Sequence, residues 1–244
     1  MRTARIARKM MDRRIFLCLT GAFVSAPFCH PEGVTVPATL DHILLGSNDL
    51  QRGIDLVEQH TGVRAAFGGV HPGRGTRNAL LSLGERRYLE IIAPDPLQSS
   101  ADNPLVRQLR TSKEPRLITW AAHPGNLSEF ARKLLAAGIG FEGPTPGSRN
   151  RPDGRLLQWQ TLNLADDSSG LLPFFIEWAP DSVHPSADAP QGCSIANFSA
   201  KVPDTAAFVA KLQQLNLDLS VHAGPIPKLR AMLNGSKGKL GLSS

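Results

Sequence analysis

Two stretches of the chain repeat one pattern: Tyr88–Asp95 reads YLEIIAPD, and Phe174–Asp181 reads FFIEWAPD. Each is an apolar run that carries a single glutamate, Glu90 in the first and Glu177 in the second, and each ends in Pro-Asp. Short apolar runs bounded by a turn signal are typical of buried strands. The repeat therefore predicts duplicated modules whose matching strands each carry one acid into a shared interior.

A histidine lies in a third apolar run, Leu40–Leu45 (LDHILL), upstream of the first copy. This run alternates as a strand buried on both faces would, and it places His42 among apolar neighbours. A helix is predicted from about Asp49 to Thr61, capped by Asn48 or Ser47 and closed by Gly62, and two further strands follow it.

The same order of strand, helix and strands occurs twice more. The second segment opens at Arg116, with a helix after Asn126, and the third opens at Ser194, with a helix near Asp204. Repeats of this kind predict an α+β fold, in which βαβββ modules form a curved mixed or antiparallel sheet with helices outside and an open cup inside. We predict paired modules over residues 38–183 and a third, degenerate module over 190–244.

The net charge of +6 comes mostly from the N-terminal residues. Residues 1–14 hold six basic side chains against one acid, so the rest of the chain is close to neutral. Aromatic residues make up only 6% of the sequence. The composition therefore gives no support for a nucleic-acid partner.

The basic start is followed by an apolar run at 15–26 that is too short to span a bilayer. Residues 1–28 are interpreted as an export signal, and Arg13-Arg14 within it resembles a twin-arginine signal. Cleavage would leave a periplasmic protein without stable membrane insertion; without export the protein would be cytoplasmic. The alternative is a basic tail followed by a buried helix. Cys29 and Cys193 remain after cleavage, either as one disulfide or as two thiols.

These motifs resemble the vicinal oxygen chelate superfamily and, within it, the glyoxalase-like domain family. The resemblance covers about residues 38–242 and depends on the strand of His42, the loop 71–79, the strand of Glu90, the loop 144–154 and the run 170–178. It implies paired modules that bind one divalent metal through the first and last strand of each.

Carried over by position, the resemblance implies metal ligation by His42, Glu90 and Glu177, with Thr119 at the fourth position. Threonine is a poor ligand, so the set is incomplete. A nitrogen and oxygen donor set suits Zn, Ni, Mn, Fe(II) or Co. Glu177 is a candidate catalytic base in metal-assisted lyase or isomerase chemistry. The alternative is that His42 is a hydrogen-bonded core residue and that the acids are paired with arginines.

Two loops rich in glycine and arginine are candidate substrate contacts, because guanidinium groups bind carboxylate or phosphate in a bidentate manner. We predict an anionic or oxygen-rich small molecule as the ligand, with His71 as a general acid or base. The predicted substrate contacts are Arg77, Asn78, Arg149 and Arg155. The alternative is two solvated turns with scattered charge.

Function stays open between two classes. The first is a metal-dependent lyase or isomerase. The second is a protein that sequesters a small molecule without chemistry, as the resemblance to bleomycin-resistance proteins implies, and the incomplete ligand set favours it. A dioxygenase fits less well, since such enzymes use two histidines and one acid. Modules of this superfamily also pair between chains, so a homodimer is an alternative assembly.

Overall fold

Each of the first two segments folds as a βαβββ module. The computed structural model describes residues 36–151, 153–168 and 170–244. The first module consists of β1 (Leu40–Gly46), α1 (Leu50–Thr61), β2 (Ala66–His71), β3 (Thr76–Ser82) and β4 (Tyr88–Pro94). The second consists of β5 (Arg116–Ala122), α3 (Leu127–Ala136), β6 (Phe141–Asn150), β7 (Leu156–Leu164) and β8 (Phe174–Trp178), and α2 (Pro104–Thr111) lies in the connection between them.

The helices begin and end where their capping residues predict. Asp49 accepts a hydrogen bond from the backbone N–H of Arg52 at 2.9 Å, so it caps α1 in place of the predicted Asn48 or Ser47. Gly62 ends α1 with φ of 79°, a left-handed conformation that glycine adopts without strain. Asn126 caps α3 in the same way as Asp49 caps α1.

The two modules join into one curved eight-stranded sheet with the order β2-β3-β4-β1-β5-β8-β7-β6. The first strands pair with each other in antiparallel fashion, and Ile43 lies opposite Trp120. Within each module the last strand runs parallel to the first. This confirms the predicted fold class and places the first and last strands of both modules in the middle of the sheet, where the cup is deepest.

The third segment has a different topology. Its elements are β9 (Ser194–Val202), α4 (Thr205–Gln214), β10 (Ser220–Ala223), β11 (Lys228–Asn234) and β12 (Lys239–Ser243), and β9 and α4 begin where the sequence predicts. They form a separate four-stranded sheet with the order β10-β9-β11-β12, in which β10 runs parallel to β9. Because its last strand does not return beside its first, this segment does not form another half of the cup.

One hydrophobic core serves both sheets. Buried side chains of β1, β5, α1, α3 and α4 pack with those of β9 and β11 in a single cluster. At its centre Trp120 contacts Phe198 edge to face, with ring centroids 5.3 Å apart. The predicted boundary between residues 183 and 190 therefore separates two sheets but not two cores.

The predicted export signal lies outside the described residues, as does Cys29, so signal and disulfide both stay predictions. Cys193 is buried in the core. In the described part of the chain, none of the helices has the length and apolar character needed to cross a membrane.

Candidate functional site

The concave face of the eight-stranded sheet encloses a cavity of about 620 Å³, which we call the cup. Both modules line it, but with different chemistry. The first module contributes mostly polar side chains, and Arg149 of β6 joins them. The second contributes an apolar surface and four uncharged polar side chains. The apolar surface includes Ile118, Trp159, Phe174, Ile176 and Trp178, and the polar side chains are Thr119, Ser148, Thr161 and Asn163. The volume is typical of small-molecule sites in proteins.

His42 stands at the floor of the cup and is only 2% exposed. Its ring stacks on Tyr88 with centroids 4.3 Å apart and meets Phe174 edge to face. The Nε2 atom lies 3.6 Å from Glu90 Oε2, while Nδ1 lies 2.7 Å from Asp41 Oδ1. Nδ1 is therefore within hydrogen-bond distance of Asp41, whereas Nε2 lies beyond hydrogen-bond distance of Glu90.

A β-bulge brings Asp41 to the side of its neighbour. Leu40 pairs with Ala122 and His42 with Ala121, so Asp41 is the extra residue of β1 at this point. Adjacent strand residues ordinarily face opposite ways, and a bulge changes the direction of a side chain. The Asp41 carboxylate can therefore reach the imidazole of His42.

Three donors hold the buried carboxylate of Asp41. Besides His42, Trp178 Nε1 donates to Oδ2 at 3.1 Å and His184 Nε2 lies 3.2 Å from the same atom. The backbone N–H of Ser186 donates to His184 Nδ1, so the ring proton of His184 lies on Nε2 and points to Asp41.

These donors determine the charge of Asp41 and the tautomer of His42. Burial alone would raise the pKa of Asp41, but the hydrogen bonds from His184 and His42 lower it well below its ordinary value. An ionised carboxylate only accepts hydrogen bonds, so Nδ1 of His42 carries a proton. In neutral His42 the Nε2 lone pair then faces the cup.

Glu90 and His71 form the second part of the polar wall, and Asn78 links them. The Asn78 amide donates to Glu90 Oε1 at 2.6 Å and lies 3.2 Å from His71 Nε2. His71 Nδ1 lies 2.8 Å from the hydroxyl of Thr76. Since Asn78 donates to Nε2, His71 is neutral with its proton on Nδ1.

The pKa values of both Glu90 and His71 are lowered, but for different reasons. Burial opposes ionisation of Glu90, whereas positive charge on His71 or His42, the hydrogen bond from Asn78 and the charge of Arg149 lower its pKa. Burial also lowers the pKa of His71, against the attraction of Glu90. With His71 neutral, the hydrogen bond from Asn78 and the charge of Arg149 still favour the ionised form of Glu90, while burial favours the neutral form of His71.

Arg149 reaches the cup from the second module. It is only 6% exposed, and its Nη1 donates to the backbone oxygen of Gly68 and to Asn78 Oδ1. These contacts orient the Asn78 amide so that its nitrogen faces Glu90. The guanidinium group also brings a positive charge into the wall that holds the carboxylate.

Glu177 does not join the other predicted ligands. Its Oε2 accepts a hydrogen bond from the backbone N–H of Leu127 at 2.9 Å, at the start of α3, and the side chain does not line the cup. On β8 the cup-facing residues are Phe174, Ile176 and Trp178, so Glu177 points to the helical side. The expected convergence of His42, Glu90 and Glu177 thus fails for Glu177.

Two of the predicted substrate contacts also lie outside the cup. Arg77 falls between the cup-facing residues Thr76 and Asn78 of β3, and it points to the other face. Arg155 is 53% exposed and pairs with Asp153 and Asp188. By contrast, Asn78, Arg149 and His71 all line the cup.

The donor set does not fit the metal centre that the resemblance implies. The second module offers Thr119 from β5 and only Phe174, Ile176 and Trp178 from β8, and none of these side chains suits a divalent metal. Across the described residues, no three histidine, cysteine or acidic side chains are grouped closely enough to hold a metal ion. We therefore assign no step to a metal.

Sequence reasoning missed Asp41, Tyr88, Trp178 and His184. Tyr88 and Trp178 follow from strand alternation once Glu90 and Ile176 are placed in the cup, and this signal was available. His184 lies in a connection rich in proline, and nothing in its sequence neighbourhood indicates that it reaches Asp41.

The paired βαβββ modules, with their first strands side by side in the middle of the sheet, define a protein of the vicinal oxygen chelate class. A model of the glyoxalase-like domain family matches residues 40–216, and the chain belongs to that family. A comparison with curated proteins found no match.

Solved structures share the fold at low sequence identity. A hypothetical protein from Staphylococcus aureus is 16% identical, with a TM-score of 0.55 and 84% of each chain covered. Methylmalonyl-CoA epimerase from Mycobacterium tuberculosis is 22% identical, with a TM-score of 0.45, covering 62% of this chain and 95% of the epimerase. At these identities the first likeness concerns the fold alone, and the second carries no argument about function.

Proposed function

We propose that the chain binds a small, oxygen-rich anion in the cup and moves a proton on it, with His42 as the base. The observation that carries this proposal is the 2.7 Å contact between His42 Nδ1 and Asp41, which leaves Nε2 facing the cavity beside Glu90. An imidazole held in one tautomer by a carboxylate is a common arrangement for general bases.

The two walls support an anion that also has an apolar part. Arg149 and Arg74 line the polar side, and guanidinium groups favour carboxylate or phosphate. Opposite them, the ring centroids of Trp159 and Trp178 lie 5.5 Å apart. Both side chains line the cup. The polar head of the ligand would face His42, and its apolar part would contact the tryptophans.

The proton transfer would use the two carboxylates that flank His42. When Nε2 takes a proton from the ligand, the imidazolium is stabilised by Asp41 at Nδ1 and by Glu90 at 3.6 Å from Nε2. His71, which is neutral beside Glu90, would hold the ligand or return the proton. Arg149 would contact the anionic group.

Hydrogen exchange tests this proposal directly. The protein is incubated in D2O with pyruvate, acetoacetate and malonate, and the loss of each carbon-bound proton is followed by NMR with and without EDTA. We expect at least one anion to exchange faster than in buffer and to do so equally with EDTA. His42→Gln should abolish the excess rate, whereas His60→Gln, at an exposed position of α1, should retain it.

The second candidate function is sequestration without chemistry. It is favoured by the apolar second wall, where Phe174 and Ile176 offer no group that moves protons. In that case saturation-transfer NMR would detect a bound anion whose carbon-bound protons exchange no faster than in buffer. A rate that collapses in EDTA would instead favour metal chemistry over both proposals.

A further inference from the structure

The charge of the described chain is unevenly distributed. Residues 190–244 hold six basic and two acidic side chains, whereas residues 36–189 hold fifteen basic and seventeen acidic ones. Both acids of the third segment are engaged: Asp204 caps α4, and Asp218 accepts from the backbone of Ala38. The positive charge of the four-stranded sheet is therefore not balanced from within its own segment.

Part of this charge forms a row across three strands. Lys201 of β9 lies directly opposite Lys228 of β11 on one side and opposite His222 of β10 on the other. Arg230 lies two residues along β11 from Lys228, so it shares the same face. Like charges in directly opposed positions destabilise a sheet.

The surroundings of the row suit a small anion. The four residues border a depression of about 890 Å³ that is also lined by Asn197, Ser199 and Ser243 and contains no acidic residue. Among the described residues, Lys201, Lys228 and Arg230 form no ion pair. Adjacent strands are about 4.8 Å apart, so the row presents several donors within the length of a compact multivalent anion.

We propose that this face of the four-stranded sheet, defined by Lys201, His222, Lys228 and Arg230, is a second site that binds a soluble compound with two or more adjacent oxyanion groups. Ammonium and guanidinium donors match such groups, and the serine hydroxyls and the asparagine amide add neutral donors. No phenylalanine, tyrosine or tryptophan lines the face, so it lacks the stacking surface that single-stranded nucleic acids use.

The experiment is calorimetric titration of the full chain with inorganic tripolyphosphate at low salt. We expect saturable binding that weakens as NaCl is added, because exposed charges are screened by salt. The Lys201→Gln and Lys228→Gln double variant should bind about tenfold more weakly or worse, since two charge-assisted contacts are lost. The control variant carries Lys113→Gln and Lys133→Gln, which remove the same charge at exposed positions elsewhere.

The stability of the free protein provides a second readout. Lys228→Gln removes the like-charge pair, so it should raise Tm without anion and reduce the increase in Tm that tripolyphosphate causes. Three results would overturn the proposal: no binding of tripolyphosphate, equal weakening in the control variant, or binding only to vesicles of phosphatidylglycerol. Loss of the His42-dependent exchange reaction has no bearing on this site, because the two sites share no residue.

Discussion

At the scale of single residues, the site depends on Asp41. Its carboxylate is fully buried, and it accepts from His42, Trp178 and His184. These three partners come from β1, β8 and the connection after β8, so Asp41 joins parts of the chain that are distant in sequence. The side chain that fixes the tautomer of His42 therefore also contributes to stability.

Replacing Asp41 by asparagine should lower the free energy of unfolding by about 1–3 kcal/mol, because three buried donors lose their ionised acceptor. Urea denaturation measures this. The matched control is Asp181→Asn, at an exposed position, which should change stability by less than about 0.5 kcal/mol. Equal effects of the two substitutions would contradict the role of Asp41.

His71 should make stability depend on pH in the mildly acidic range. Burial lowers its pKa from the ordinary 6.5, so below that pH the unfolded chain binds more protons than the folded protein. Protonation of His71 therefore does not reduce the free energy of unfolding above pH 6.5. Below that pH the free energy of unfolding decreases, by at most about 1.4 kcal/mol per pH unit for one group.

His71→Asn should flatten this dependence, as measured by urea denaturation between pH 7.5 and 5.5. His123, whose pKa is also lowered by burial, is present in both proteins, so the difference between the two slopes reports on His71. Identical slopes would show that His71 is not held neutral in the folded state.

At the scale of elements, the strand repeat predicted the modules but misplaced one side chain. Glu90 precedes its Pro-Asp stop by four residues and Glu177 precedes its own by three. A shift of one residue moves a strand side chain to the opposite face. The different number of residues between each glutamate and its Pro-Asp therefore indicates that Glu177 faces α3. The similarity of the two motifs suggests the opposite.

Glu177 has a structural consequence that can be measured. A carboxylate at a helix N-terminus is favoured by the helix dipole, so Glu177→Gln should destabilise the protein by about 0.3–1 kcal/mol. Anion binding in the cup should not change, as followed by saturation-transfer NMR. Glu142→Gln, at an exposed position of β6, is the control and should leave both properties unchanged. A loss of anion binding in Glu177→Gln would contradict this assignment and show that Glu177 contributes to the binding site.

The sequence predicted the helices and strands well, because helix caps and hydrophobic periodicity depend on residues that are close together in the chain. Asn126 and Gly62 are examples: each was assigned from sequence, and each ends or begins a helix in the structure. The bulge at Asp41 could not be predicted, since it is defined by pairing with β5, a strand far away in the chain. The topology of the third segment escaped prediction for the same reason.

At the scale of the whole molecule, the two sheets share one core, so they should unfold together. Phe198 is fully buried and contacts Trp120 across the boundary between the sheets. Phe198→Ala should lower the free energy of unfolding by about 3–5 kcal/mol and leave a single transition in calorimetry. Phe67→Ala, at a side chain that is 50% exposed, should cost far less. Two separate transitions would contradict the shared core.

The most direct test of the proposed site is the tautomer of His42, measured by 15N NMR of the ring nitrogens in the full chain at mildly alkaline pH. If Asp41 holds the ring as the structure indicates, the neutral imidazole carries its proton on Nδ1, and Asp41→Asn abolishes this preference. A proton on Nε2 in the unaltered protein would direct a donor instead of a lone pair into the cup, and His42 could not act as its base.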